Sequence, residues 1–348
     1  MPVQNASEDE LASLTKKIAD VGIPEDLAET LRARIERLTS LAVPFSEIER
    51  FIEYVQWLIT LPWRKRTQDT LDIPNAQKVL DSAHYGLQEI KERVLEYLAV
   101  MKLSREKGGE NSLRAPILCF VGLVGTGKTT IAASIARALQ RAFVRIPFGG
   151  LGDPGMLRGE ARFHPGSQPG QIIRSLVRAN AKNPVVLLDE IDRVDERTRP
   201  SIMGALVEIL DPEQNRGFLD AYIDYPFDLS EVLFIATANN TTNIATAVLD
   251  RLEVIQMPSY TDEEKIVIGR DFLLPRALEE AGLSRDTILI ADSVWSTIVR
   301  PLGYDAGMRT LERTIQGVVR KIAKLIIEGK GQTFQLNETN IKEFLPTW

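Results

Sequence analysis

Apolar positions recur at helical spacing through residues 1–63. Ser7 and Glu10 stand at capping-box spacing before Leu11, Leu14 and Ile18, so a helix is expected to open there. Pro24 suits a helix start and is followed by Leu27, Leu31, Ile35 and Leu38. A third stripe, Ile48, Phe51, Ile52, Val55 and Leu58, stops at Pro62. Residues 64–74 are polar and irregular. Then come a short helical stretch near 76–80, a longer one over 87–103 and a charged, glycine-containing loop over 105–111. From Pro116 the texture changes. Residues 117–121, 144–146, 185–188 and 232–236 are continuous short apolar runs, as buried parallel strands are, with helical patterns such as 131–139 between them. A doubly wound α/β unit is therefore expected over about 80–260. Beyond Tyr260 the periodicity is helical over 263–273, 292–299 and 308–327, with a tail strand at 333–336 and a last helix at 341–345.

Composition narrows the class. The chain has 348 residues, 44% hydrophobic and 26% charged, which fits a soluble protein of about two domains. The net charge of −6 provides no global basic field, and Arg64-Lys65-Arg66 is only a short basic cluster, which argues against nucleic acid as a partner. One cysteine, Cys119, excludes an intramolecular disulfide and reads as a buried, inert thiol. With His84 and His164 as the two histidines, a zinc site is not expected. No apolar run reaches the length of a membrane span, and the first residues lack the pattern of a signal peptide, so a cytoplasmic protein is expected.

The chemistry begins at Gly122-Leu123-Val124-Gly125-Thr126-Gly127-Lys128-Thr129, which fits GxxxxGK[ST] between an apolar strand and a helical run. The glycines let successive N–H groups face phosphates, the following helix adds its positive end, Lys128 adds charge, and the Thr129 hydroxyl can ligate Mg²⁺. A second strand ends in Asp189 and Glu190. A parallel strand delivers these to the same sheet edge, where Asp189 would hold the metal and Glu190 would act as general base. A third strand ends in Thr237-Ala238-Asn239, and Asn239 can hydrogen-bond the γ-phosphate or the attacking water. Arg251 and Arg309 each head a further segment. Taken singly, they read as surface or capping charges.

Together these segments resemble an AAA+ ATPase: the glycine loop, LLDEID over 187–192, ATAN over 236–239, LDR over 249–251 and GMRTLER over 307–313. A closer resemblance, to the ATPase portion of the Lon proteases, rests on LPW (61–63), HYGLQEIKERVLEYLAV (84–100), LDPEQN (210–215), YPFDLSEVLFIATAN (225–239) and YTDEEK (260–265). The resemblance implies an AAA+ P-loop fold in three parts: an N-terminal helical arm (1–63), an α/β nucleotide domain (64–262) and a small helical lid (263–348). It makes residues 122–129 the Walker A loop with Thr130 beside it, Asp189 and Glu190 Walker B, and Asn239 the first sensor. Arg251 becomes a finger reaching a neighbouring subunit's nucleotide, and Arg309 the second sensor. His84, Tyr85 and Gly86 fall where the chain passes the adenine. ATP and Mg²⁺ are the implied ligands, a homo-oligomeric, hexameric ring the implied assembly, and proteins the implied substrates.

Two departures accompany the resemblance. No serine–lysine peptidase dyad is recognised. Ser13/Lys16 and Ser104/Lys107 fit S-x-x-K without any nucleophile context, so an ATPase lacking a peptidase is expected. The aromatic–aliphatic–glycine triplet of the substrate pore falls on His164-Pro165-Gly166, with Phe163 adjacent. Proline stiffens such a loop, and histidine gains charge in mild acid. Three readings stay open on sequence alone: a ring-shaped protein motor, the ATPase part of a protease whose peptidase is elsewhere or separate, and a nucleotide-gated scaffold for protein or DNA.

Overall fold

The structure, a computed structural model, describes residues 2–40, 43–106, 116–300 and 307–346. Three helices lead: α1 (Pro2–Asp20), α2 (Glu25–Ser40) and α3 (Phe45–Thr60). Next come α4 (Ile73–Ala83), α5 (Gln88–Glu106), β1 (Ile117–Val121), α6 (Lys128–Leu139), β2 (Phe143–Pro147), α7 (Gly155–Arg158), α8 (Gln171–Ala179) and β3 (Val185–Asp189). The middle continues with α9 (Arg199–Leu210), β4 (Phe218–Leu219), β5 (Pro226–Phe227), β6 (Leu233–Ala238), α10 (Thr246–Leu249) and β7 (Leu252–Gln256). The last part holds α11 (Asp262–Ile268), α12 (Leu274–Glu280), β8 (Ile288–Ile290), α13 (Trp295–Val299), α14 (Arg309–Ile327), β9 (Phe334–Leu336) and α15 (Ile341–Phe344).

Five strands form a parallel sheet in the order β2-β3-β6-β1-β7. This order brings the C-terminal tips of β1, β3 and β6 side by side, where an open α/β sheet binds ligands. One sheet face packs on α4, α5 and α6 through Leu80, Val94, Leu118, Ile131 and Leu187. The other face shares one continuous apolar core with α1, α2 and α3, which includes Leu14, Leu31, Leu58, Ile146 and Leu188. The leading helices are thus welded to the sheet domain. Tyr54 Oη donates to the Ile223 carbonyl at 3.0 Å, and Trp63 packs its ring on Phe227 at 5.2 Å. The last part has its own core around Trp295, Ile298, Val318 and Ile322. Among the described residues, no helix is long and apolar enough to cross a membrane.

Several boundaries differ from the periodicity. Helix α1 already runs through Ser7 from Pro2, so Ser7 does not open it; a proline suits the first turn, where its missing N–H is not needed. The short helix expected near 76–80 is α4, lengthened at its start because Asp72 accepts the Asn75 N–H at 3.3 Å and Pro74 fits the first turn. The loop expected at 105–111 begins later, since α5 includes Arg105 and Glu106; residues 107–111 lie outside the described residues. The helix expected over 263–273 is broken: α11 ends at Ile268 and a π-helical turn follows over Gly269–Leu273. There a Cβ on Gly269 would stand 2.8 Å from the Trp295 ring, so the widened turn passes the largest side chain of the C-terminal core. The segment expected as a helix over 292–299 starts as a 3-10 turn and becomes α13 at Trp295. The antiparallel β4–β5 pair has no clear periodic signal, because each strand has only two residues.

Candidate active site

The glycine loop joins β1 to α6. Gly125 and Gly127 take φ of 84° and 95°, a region open to glycine. Gly122 needs its lack of a side chain for another reason: a Cβ there would stand 2.7 Å from the Met257 carbonyl oxygen. Lys128 is the first residue of α6 and is buried, and burial lowers its pKa. Its ammonium donates to the carbonyls of Gly122 (2.6 Å) and Leu123 (2.9 Å) and to Asn239 Oδ1 (3.2 Å). The loop after β1 and the tip of β6 therefore meet at one nitrogen. Thr126 is fully buried, with its hydroxyl on the Leu123 carbonyl, and Thr130 donates to the Gly127 carbonyl.

Asp189 ends β3 and is almost fully buried. Its Oδ1 accepts from the Thr237 hydroxyl at 2.5 Å and from the Thr129 hydroxyl at 3.4 Å. Its Oδ2 is held by Arg145, through Nε at 2.6 Å and Nη2 at 2.5 Å. Thr237 also accepts the Glu190 N–H at 2.9 Å, so one hydroxyl on β6 sets both acids of β3. This is possible because β6 runs on to Ala238, past the apolar stretch that predicts it. Glu190 takes φ 57° and ψ 52°, a left-handed conformation uncommon for a residue with a side chain. Its carboxylate lies 3.3 Å from Arg193.

A cavity of about 510 Å³ opens beside these groups, lined among others by Lys128, Thr129, Asp189, Glu190, His84 and Arg309. His84 is buried and hydrogen-bonds Ser134 at 3.0 Å through Nε2. Burial, with repulsion from Lys91, pushes its pKa down to about 4, so the ring is neutral at pH 7. Tyr85 reaches the cavity and packs edge-on against Phe272 at 6.4 Å, while Gly86 turns the chain away at φ 63°. The segment before α14 meets the loop backbone to backbone. The Met308 N–H donates to the Gly125 carbonyl at 3.0 Å, and a Cβ on Gly307 would sit 2.2 Å from the Val124 carbonyl oxygen.

Comparison with known proteins fits this geometry. Residues 118–260 match the model of the ATPase family associated with various cellular activities (AAA), and residues 279–334 match the Lon protease AAA+ ATPase lid domain. The chain is a Lon-like AAA+ ATPase module. Lon protease from Bacillus thuringiensis is 42% identical over 336 residues, covering 97% of this chain and 42% of the relative. Lon protease from Dictyoglomus thermophilum is 44% identical over 322 residues, covering 92% of this chain and 40% of the relative. Lon protease 1 from Bacillus subtilis is 42% identical over 336 residues, covering 97% of this chain and 43% of the relative. The chain thus spans about two fifths of the length of these relatives.

Within the Lon-like module, Lys128, Thr129, Thr130, Asp189, Glu190, His84, Tyr85 and Arg309 reach one cavity, as do Val124, Gly125 and Gly127. Gly122, Leu123 and Thr126 shape the loop behind it, and Asn239 joins through Lys128. Arg251 is not brought there. It lies beyond α10 and pairs with Asp211 at 2.6 Å. His164-Pro165-Gly166 sits on the loop between α7 and α8, away from this cavity. Phe163 beside it is 74% exposed and stacks on His164 with ring centres 4.2 Å apart, while Arg162 lies 3.8 Å over the Tyr54 ring of α3. Sequence reasoning missed Arg145 and Thr237 as partners of the two acids. A threonine within ATAN is visible, but no local pattern says that its hydroxyl turns to the neighbouring strand. Cys119 is buried in β1, and burial pushes its thiol up to about 12, which leaves it protonated.

Proposed function

We propose that this ATPase module binds ATP with Mg²⁺ in the cavity between the glycine loop and the lid, and uses hydrolysis to act on proteins. The observation that carries the reading is the meeting of Lys128, Asp189, Glu190 and Asn239 at the tips of three adjacent strands. Lys128 and the loop N–H groups bind the phosphates. The hard oxygens of Thr129 and Asp189, hydrogen-bonded at 3.4 Å, suit Mg²⁺. When bound, that ion neutralises charge developing on the phosphates. Glu190 takes the proton of the attacking water, Asn239 orients that water, and Arg309 brings lid charge to the nucleotide. His84, kept neutral, and Tyr85 flank the base.

Arg251 acts on the nucleotide of an adjacent copy, which makes the working form a homo-oligomeric ring, by family resemblance a hexamer. The exposed Phe163–His164 pair favours a polypeptide as the species contacted by the ring. The relatives are named Lon protease, and the present chain would supply the ATP-driven part of such protein degradation. Ser13 and Lys16 sit exposed on α1, among the described residues, which supports no nucleophile role for that pair.

The test is Glu190→Gln. ATP binding should persist, and turnover should fall by about 10²–10⁴-fold, the usual contribution of a positioned base. Turnover equal to the parent's would remove Glu190 from the mechanism. Stimulation of ATPase activity by an unfolded protein such as casein checks the protein substrate separately.

A further inference from the structure

The side chain of Arg251 is gripped on two sides within its own chain. Nη1 donates to the Ala247 carbonyl at 2.7 Å and Nη2 donates to Asp211 Oδ2 at 2.6 Å. Nε is buried without a hydrogen-bond partner among the described residues. The guanidinium side chain remains about a quarter exposed (27%), and Asp211 is 18% exposed. A planar fork with two fixed contacts has little freedom left, and its remaining N–H groups point in a set direction.

Asp211 is itself fixed. It ends α9, where its N–H donates to the Val207 carbonyl at 3.0 Å. Its Oδ1 accepts the N–H groups of Glu213 (2.9 Å) and Gln214 (3.3 Å), which closes the turn after the helix. Its carbonyl accepts the Asn215 N–H at 2.9 Å. Oδ1 therefore anchors the carboxylate and Oδ2 is free to address the arginine. The Arg251 hydrogen bond, followed by the turn N–H groups, holds the carboxyl below its ordinary range, so it is ionised at neutral pH.

We infer that Asp211 is the positioning residue for Arg251: it holds the guanidinium in the direction from which it serves the adjacent copy's nucleotide. The inference rests on the reading above that Arg251 acts across a subunit boundary. Misplacing a charge by an ångström can cost about 10²-fold in rate. Asp211→Ala should thus lower kcat by about tenfold to a hundredfold with the KM for ATP nearly unchanged. Asp211→Asn keeps the acceptor for the turn but sets an amide N–H against the guanidinium, so it should lower kcat about as Asp211→Ala does, with an unchanged melting temperature.

Mixed assemblies separate this role from a merely structural one. In Asp211→Ala the subunit's own cavity is intact and its Arg251 is misaimed; in Glu190→Gln the arginine is intact and the cavity is inactive. Co-expressed as one assembly, the two should recover ATPase activity above the sum of each alone. Arg251→Ala co-expressed with Glu190→Gln is the control. If that control shows no recovery, the trans reading of Arg251 fails. If the control recovers and the Asp211→Ala mixture does not, the positioning role fails. An Asp211→Ala chain as active as the parent or more active also overturns it, since the pair would then be dispensable or a restraint. Should Asp211→Ala not fold, Asp211→Asn takes its place in the same mixture with the same outcomes.

Discussion

The N-terminal helices and the lid both pack against the sheet domain, and they do so by opposite means. Helices α1, α2 and α3 merge with it in one apolar core, reinforced by Tyr54, by Trp63 and by a bond from the Tyr225 hydroxyl to Asp26 at 2.9 Å. The lid keeps a separate core around Trp295. At the cavity it meets the glycine loop through small residues and backbone: Gly307 over Val124, Met308 on Gly125. Apolar burial over a wide area is strong and tolerant of small shifts, whereas a glycine-to-backbone contact contributes little and demands close fit. The comparison teaches that one attachment makes the domain stable while the other makes the cavity.

If that contrast is right, damage to each attachment should register in a different measurement. Leu58 is fully buried in α3, and Leu58→Ala should cost about 2–5 kcal/mol of unfolding free energy. Its ATP affinity, measured below the melting transition, should stay within about twofold. An affinity loss of tenfold would show that the helices support the cavity directly. Gly307→Ala should do the reverse. The added methyl collides with the Val124 carbonyl oxygen, pushes the lid off the loop, and should weaken ATP binding by about tenfold, roughly 1.4 kcal/mol. The melting temperature without nucleotide should move little, and an unchanged affinity would mean that the loop yields instead of the lid.

The smallest effect separates the two sides by pH. Asp220 lies fully buried under the loop that carries Phe163; burial pushes its pKa up to about 6, although it accepts the Gly170, Tyr222 and Ile223 N–H groups. Between its ordinary value and 6 the folded chain binds this proton more readily than the unfolded one, so stability from Asp220 rises as pH falls through 6. His84, lowered to about 4, has the opposite sign: its contribution is lost as pH falls from about 6.5 toward 4. Asp220→Asn removes the titration and also the Gly170 bond, since an amide nitrogen cannot accept; the lost bond lowers every melting temperature alike, whereas the lost titration changes their slope with pH. Melting temperatures taken from pH 7 to pH 4.5 should then fall more steeply in the variant than in the parent, by about 2–4 °C. Parallel curves would mean that Asp220 does not titrate in the fold.

The sheet and the glycine loop were legible because their signals are local. A short apolar run, three glycines and a lysine carry their own geometry, and the acids at the end of β3 follow from where parallel strands deliver their tips. What stayed hidden is made across the chain. The grip of Arg145 on Asp189 joins β2 to β3, and Thr237 joins β6 to both acids. Neither contact leaves a periodic mark. The same holds for Asp211, which reads as a helix end until Arg251 is found beside it. The break in the helix expected over 263–273 was missed because the wide turn at Gly269 answers to Trp295, a residue on another helix.

Glu190 also bears on how such a chain would drift. A side chain held at φ 57° costs about 1–3 kcal/mol that glycine would largely recover. Selected for stability alone, position 190 should therefore accumulate glycine or asparagine, each variant sturdier than its parent and slow to turn ATP over. Libraries of this protein sorted by folding and by turnover should diverge there first. A thermostable variant that keeps glutamate at this position would have found its gain elsewhere.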